Sequence, residues 1–248
     1  MSIDLYNDNC MTVLKNMPTG IATLAILDPP YLIETEGGGI AVDGTVPQWK
    51  EHDLDDLADG FDFAVLDELC RVLKKINMYI FCSQKQIMPL LDYFVTKRNC
   101  NWNLITWHKI NPVPACGNKY LTDTEYCLFF REKGVKIFGT YDTKRTWYAT
   151  KSNAQEKELY NHPTVKWLPM IENFVINSSE IDDLVIDPFL GSGTTGVACK
   201  NLNRSFIGCE INPTYYEVAK QRIGEAVSHE ADTIITVKNN EEQLRLDI

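Results

Sequence analysis

The chain has 248 residues, enough for one sizeable domain with a full core, and its apolar fraction of 44% is ordinary for a globular protein. A net charge of −10 argues against a uniformly basic nucleic-acid binder, and no apolar run approaches the roughly 18 residues of a membrane-spanning helix. The N-terminal Met1-Ser2-Ile3-Asp4 carries neither the basic nor the apolar region of a signal peptide, so no membrane partner and a cytoplasmic location are expected.

Residues 3–6 and 22–27 are the first two apolar runs with strand character, and Asp28-Pro29-Pro30-Tyr31 stands directly after the second. Residues 32–60 combine Gly37-Gly38-Gly39 with many acids and little periodicity, which predicts a long mobile loop placed to cover whatever binds at Tyr31. Residues 61–73 set Phe61, Val65, Leu69 and Val72 near one helical face. Further strand signals lie at 78–82, 104–107, 126–130, 184–186 and 205–209, and helical ones at 196–202 and 214–226. Alternating strands and helices with near-continuous apolar strands predict an α/β domain over residues 1–248, its parallel-rich sheet covered on both faces.

The charge is unevenly spread. Residues 71–160 hold 15 Lys+Arg against 7 Asp+Glu, while the remainder holds 9 against 27, so a basic middle is set in an acidic frame. Within it, residues 133–160 mix Lys133, Lys136, Lys144, Arg145, Lys151 and Lys157 with Phe138, Tyr141, Trp147 and Tyr148. Cations that meet phosphates and rings that stack or pack make this small insert the candidate for target recognition. The eight cysteines show no C-x-x-C spacing and several sit in apolar strand patterns, which predicts small buried hydrophobes and no structural metal. The tail beyond residue 228 is polar and acidic with one strand-like patch at 233–237.

An acid, two turn-fixing prolines and an aromatic ring at the end of a buried strand suit a planar amine. The lone pair of an exocyclic base amine is delocalised into its ring. A carboxylate (Asp28) and a backbone carbonyl (Pro29) accepting its hydrogens would favour a pyramidal, nucleophilic nitrogen, with Tyr31 stacked on the ring. A base inside a duplex must be flipped out to reach such a pocket. The second motif, Val185-Ile186-Asp187-Pro188-Phe189-Leu190-Gly191-Ser192-Gly193-Thr194-Thr195, runs from a strand through a glycine bend into a helix start whose free N–H groups can hold an anion. It lacks the Lys of a triphosphate loop and the G-x-G-x-x-G spacing of dinucleotide folds, so a nucleoside bearing a carboxylate is the better fit. About 20 residues on, the 205–209 strand ends in Glu210, placed as an acid that binds both ribose hydroxyls.

Together these segments resemble the S-adenosylmethionine-dependent amino DNA methyltransferases of the permuted beta group, in which D-P-P-Y comes first, target recognition second and the cofactor loop last. The resemblance covers residues 3–223 and implies a Rossmann-like sheet of seven strands, mostly parallel with one antiparallel strand, in circularly permuted order. It implies that Asp28, Pro29, Pro30 and Tyr31 form the catalytic motif, and that Asp187, Phe189, Gly191, Gly193 and Thr194 hold the methionine side of S-adenosylmethionine, with Glu210 on its ribose. Asp8 resembles the position that contacts the cofactor adenine. His162-Pro163-Thr164-Val165-Lys166 resembles the H-P-T-x-K segment in which Thr164 and Lys166 seat the methionine end, with Trp167 in place of the usual Pro. Trp107 to Pro112 and Thr124-Glu125-Tyr126 resemble the segment lining the target-base side.

Transfer from a sulfonium to nitrogen is a direct displacement that needs orientation rather than a metal, so none is expected. The implied partner is double-stranded DNA, with a homodimer or a partner subunit as a further expectation, in the setting of restriction-modification. Asp at the first motif position favours adenine N6 over cytosine N4 as the target. An RNA-base or protein-amide methyltransferase and an inactive DNA-binding relative are the alternatives from other classes.

Overall fold

The structure is a computed structural model and describes residues 1–31, 60–112, 118, 120–151, 160 and 165–226. Eight strands form one sheet: β1 (Ile3–Tyr6), β2 (Leu24–Leu27), β3 (Asn77–Cys82), β4 (Asn101–Lys109), β5 (Thr124–Arg131), β6 (Trp147–Thr150), β7 (Leu184–Asp187) and β8 (Ser205–Cys209). Their spatial order is β1-β8-β7-β2-β3-β5-β4-β6. Only β5 runs against its neighbours, between β3 and β4; the other pairings are parallel.

The expected seven strands are all present, and the eighth is a correction. β6 comes from the basic aromatic insert and pairs with the second half of β4, Thr106 opposite Trp147 and Lys109 opposite Thr150. Backbone donors along an unpaired β4 edge would favour such pairing. Residues 32–59, 152–159 and the tail from 227, including most of the expected mobile loop, lie outside the described residues.

Period-two side-chain alternation divides the core between the two faces of the sheet. Ala25 and Leu27 of β2, Met78 and Ile80 of β3 and Leu128 and Phe130 of β5 share one cluster. It is covered by α1 (Cys10–Asn16), α2 (Ala64–Val72) and α3 (Gln84–Leu91), the last continuing through a π-helical turn at Asp92–Thr96. Leu24, Ile26, Tyr79, Phe81 and Phe129 face the other way, against α4 (Leu168–Ser178), α5 (Thr194–Asn201) and α6 (Pro213–Glu225). The rings of Phe129, Tyr79 and Phe174 stack in series at 4.3 and 4.2 Å between centroids. Truncating Phe174 to Ala would remove one end of this stack, at a cost of about 3–5 kcal/mol.

Helix starts follow capping chemistry. Asn9 accepts from Met11 N at the head of α1, Ser83 and Gln86 form a capping box on α3, and Asn212 accepts from Thr214 N and Tyr215 N ahead of Pro213 at the first turn of α6. The chain leaves β2 toward β3 and leaves β7 toward β8, on opposite sides. The adjacent carboxyl ends of β2 and β7 therefore mark the topological switch point, where α/β sheets open a ligand crevice.

The expected recognition insert is split between the two edges of the sheet. Because β5 is antiparallel, its end lies at the amino edge, Arg131 opposite Asn77 and Asn101. There Phe138 N bonds the carbonyl of Asn177, near the end of α4, and Thr143 Oγ1 bonds Asn177 Oδ1 at 2.7 Å. Lys133 and Lys136 therefore sit away from the switch-point crevice, and the chain returns toward it only along β6. Of the seven cysteines among the described residues, five are buried and two are half-buried.

Candidate active site

β2 delivers Asp28 to the crevice and the two prolines turn the chain away from the sheet, Gln86 Nε2 of α3 donating to the Pro30 carbonyl at 3.3 Å. Tyr31 folds back so that its hydroxyl donates to Asp28 Oδ1 at 3.0 Å. The other carboxylate oxygen meets Lys166, whose ammonium is 2.6 Å from Oδ2. Lys166 also lies 3.2 Å from Glu125 Oε2 and 4.9 Å from the centre of the Phe81 ring. Glu125 in turn is 3.1 Å from the Lys109 ammonium, which sits over the Trp107 ring.

Electrostatics within this group are dominated by burial and by the pairing that offsets it. Burial pushes the Asp28 carboxyl above the usual range, and the Lys166 ammonium and Tyr31 hydroxyl counter that only in part. Burial alone would make Lys166 easier to deprotonate, but Asp28 and Glu125 outweigh it and hold the ammonium cationic. The Glu125 carboxyl, also disfavoured by burial, is held below its ordinary value by Lys166 and Lys109. At 7% side-chain exposure Lys166 relies on these carboxylates rather than on water.

Next to Asp28 opens a cleft of ≈ 320 Å³ lined by residues of both motifs, among them Asp8, Asp28, Pro30, Lys166, Asp187, Phe189, Gly191, Thr194 and Glu210. The bend that lines it turns on two glycines. Gly191 and Gly193 take φ of 51° and 81°, in the left-handed region, and a Cβ on Gly193 would meet Ala219 Cα at 3.0 Å. The bend brings Gly191 N to Glu210 Oε2 at 2.9 Å, while Asn212 N meets Oε1 at 2.9 Å. Asp187 Oδ1 accepts from Phe189 N at 3.0 Å, and burial raises its carboxyl to about 7 against the Thr195 and Phe189 hydrogen bonds that favour the anion. Asp8, at the end of β1, receives Asn9 N on Oδ1 at 2.7 Å.

The structure therefore gathers Asp8, Asp28, Pro30, Lys166, Asp187, Phe189, Gly191, Thr194 and Glu210 around one space, with Gly193 in the same bend but outside the lining, and Pro29 and Tyr31 in the turn that carries Asp28 and Pro30. His162 and Thr164 lie outside the described residues. Lys166, expected at the methionine end of a cofactor, lines the cleft and is also bound to Asp28, a link its motif did not announce. Arg222 was not foreseen: from α6 it donates to Ser192 O (3.1 Å) and Thr194 Oγ1 (2.9 Å), and its guanidinium lies 4.3 Å from the Tyr160 ring centre. A lone Arg in a polar helix carries no pattern that would single it out. Tyr215 and Asn212 also line the cleft.

The DNA methylase family model matches residues 22–221, from the start of the β2 region to within α6. This chain belongs to the N4/N6 DNA methylase family. It is accordingly an S-adenosylmethionine-dependent DNA methyltransferase. Type II methyltransferase M2.DpnII of Streptococcus pneumoniae is 35% identical over 249 residues, covering 90% of this chain and 93% of that protein. Type II methyltransferase M2.LlaDCHI of Lactococcus lactis subsp. cremoris is 34% identical, with 91% and 90% covered. Among solved structures, the M1.HpyAVI complex with S-adenosylmethionine superposes with a TM-score of 0.66 at 28% identity, covering 89% of this chain and 98% of that one. No helix among the described residues of this methylase is long and apolar enough to cross a membrane.

The cleft suits the family's cofactor in its chemistry. Glu210 presents a carboxylate with both oxygens already oriented by backbone donors, the glycine bend brings main-chain atoms to the surface, and Phe189 and Ile211 supply apolar walls. Such a set can take a nucleoside at one end and an amino-acid end at the other.

Proposed function

We propose that the chain is a site-specific adenine methyltransferase that moves the methyl of S-adenosylmethionine to N6 of an adenine flipped out of duplex DNA. The observation that carries this reading is the Asp28 carboxylate at the rim of the cofactor cleft, held by Lys166 on one oxygen and Tyr31 on the other. Glu210 would hold the ribose hydroxyls, and Asp187 with the Gly191 to Thr194 bend the methionine end. Asp8 would serve the adenine ring of the cofactor.

When bound, the cofactor supplies an electrophilic methyl on a sulfonium sulfur. Asp28 accepts one hydrogen of the incoming amine and the Pro29 carbonyl the other, which turns the nitrogen lone pair toward the methyl. Tyr31 packs on the ring, and the rigid turn and the glycine bend keep the two reactants in line. With the cofactor bound, the nitrogen that gains the methyl would have a proton to lose, and Asp28 or water would take it.

Support for adenine comes from Asp at the first motif position and from DNA adenine methyltransferase YhdJ of Escherichia coli (strain K12), which is 26% identical over 264 residues. The cytosine-N4-specific PvuII methyltransferase shares the fold at 15% identity. DNA would approach the carboxyl edge of the sheet, where Asp28 opens, so within the 133–160 segment the part placed for contact is the carboxyl end of β6. Incubating the protein with labelled S-adenosylmethionine and unmethylated duplex DNA, then digesting to nucleosides, tests the reading. Label in N6-methyladenine is expected, and label in N4-methylcytosine, in RNA or in protein would overturn it.

A further inference from the structure

Glu125 belongs neither to the D-P-P-Y motif nor to the cofactor loop, yet two buried ammonium groups converge on it. Lys109 Nζ is 3.1 Å from Oε1, and Lys166 Nζ is 3.2 Å from Oε2. Lys166 continues to Asp28 at 2.6 Å, so Lys109, Glu125, Lys166 and Asp28 form an alternating chain of cations and carboxylates. The alternation of sign offsets the cost of holding these groups largely out of water. The far half is anchored in the sheet, since Glu125 stands on β5 opposite Trp107 of β4 and Lys109 is on the same β4 strand. The near half opens on the cleft through Asp28 and Lys166.

We infer that Glu125 is a positioning residue for methyl transfer, tethering the Lys166 ammonium on the side away from Asp28 so that the rest of the Asp28 carboxylate is left to the base amine. An ammonium on a four-carbon stem has three donors and can swing across both oxygens of a neighbouring carboxylate. Glu125 attracts the ammonium from the far side as an ion pair at 3.2 Å, which leaves Lys166 on Asp28 Oδ2 while Oδ1 holds the Tyr31 hydroxyl at 3.0 Å. Without Glu125 the whole charge of Lys166 falls on Asp28, and the ammonium competes with the incoming amine for the same acceptor. Lys109 serves a different end, balancing Glu125 from the sheet side. The inference rests on Asp28 being the acceptor for the amine.

Glu125→Gln is nearly isosteric but removes the carboxylate that faces Lys109, so the paired variant Lys109→Met/Glu125→Gln removes one charge of each sign and leaves the net charge of the site unchanged. Turnover on duplex DNA, cofactor affinity by calorimetry and KM for DNA are measured for both, for Lys166→Met, and for Lys166→Met/Glu125→Gln. The paired variant is expected to lose at least about tenfold in kcat with cofactor affinity within about twofold. Glu125→Asp should recover part of the loss, and Glu125→Gln should add nothing to Lys166→Met, because one residue acts through the other. Unchanged kcat in the paired variant, or losses that multiply, would overturn the role. The ratio to the wild type is read on whichever base carries the label, so a cytosine product would revise the substrate while the ratio still decided the role of Glu125.

Discussion

The Lys166 ammonium lies 2.6 Å from the Asp28 carboxylate, which makes the residue just ahead of α4 a partner of the one just after β2. The two ends of this pair respond differently to removal. In Asp28→Asn, Lys166 keeps Glu125, so the fold and the cleft should persist while an acceptor facing the amine becomes a donor. kcat should fall by about 10²–10³ or more with cofactor affinity within about threefold. Retained turnover would remove Asp28 from the reaction.

Lys166→Met instead strips a buried cation from two half-buried carboxylates, at a stability cost below the about 3–5 kcal/mol of a fully buried pair. It should also move the pH profile. Burial raises the Asp28 carboxyl, and Lys166, with the Tyr31 hydroxyl, pulls it back while Glu125 pushes it further up. Losing Lys166 raises it again, so the acid limb of kcat against pH should shift to higher pH, activity being lost earlier as pH falls. A limb that stayed in place or moved down would contradict the assignment.

Glu210 is tied by both oxygens to main-chain donors, Gly191 N and Asn212 N, each at 2.9 Å. Its loss therefore loosens the bend as well as removing the acceptor proposed for the ribose. Hydrogen bonds to charged groups contribute about 1.5–3 kcal/mol each, so Glu210→Ala should weaken cofactor binding by roughly 10- to 100-fold. Glu210→Gln keeps one oxygen acceptor and should lose less. Calorimetric titration with S-adenosylmethionine ranks the three proteins, and equal affinities would show the ribose to be held elsewhere.

How far the chain could be read depended on whether an element is specified by its own residues or by its surroundings. β2, β3 and β7 are covered on both faces, so their residues form unbroken apolar runs that stand out from the sequence. α4 is also covered on nearly every side, Glu172 and Asn173 included, and a helix without a polar face has no amphipathic period to betray it. β6 was hidden for another reason: Trp147 and Tyr148 read as stacking rings among cations, and only the edge of β4 makes them a strand. The site divides in the same way. Gly191 and Gly193 stand out because the backbone there takes positive φ, and Asp28, Asp187 and Glu210 because each follows or ends an apolar strand. The segments bearing Lys109 and Glu125 stood out by resemblance, but the ion pairs joining them to Lys166, and the contacts of Arg222, cross between strands and helices, which no local spacing encodes.

Gly193 shows the backbone demand at its sharpest. Its φ of 81° disfavours any L side chain, and an added Cβ would sit 3.0 Å from both Cα and Cβ of Ala219 in α6. Gly193→Ala should lose about 1–3 kcal/mol from strain, with a further loss where the start of α5 is pushed off α6. Thermal or denaturant unfolding measures it, and a stability equal to the wild type would mean that the bend relaxes freely.

Asp187 is the group whose titration should be visible near neutrality. Burial lifts its carboxyl from the ordinary range to about 7, so in the free protein it is largely protonated below that pH and anionic above it. Its neighbour in the cleft is to be the methionine end of a cofactor that carries positive charge, and a nearby cation favours the anionic form. Binding then expels the proton when Asp187 holds one, which costs affinity on the acid side. The affinity for S-adenosylmethionine should rise as pH increases through about 7 and level off above it, with proton release on binding below. Asp187→Asn cannot titrate, so its affinity should be lower and flatter across the same window. A variant with the same slope as the wild type would assign the dependence to another group.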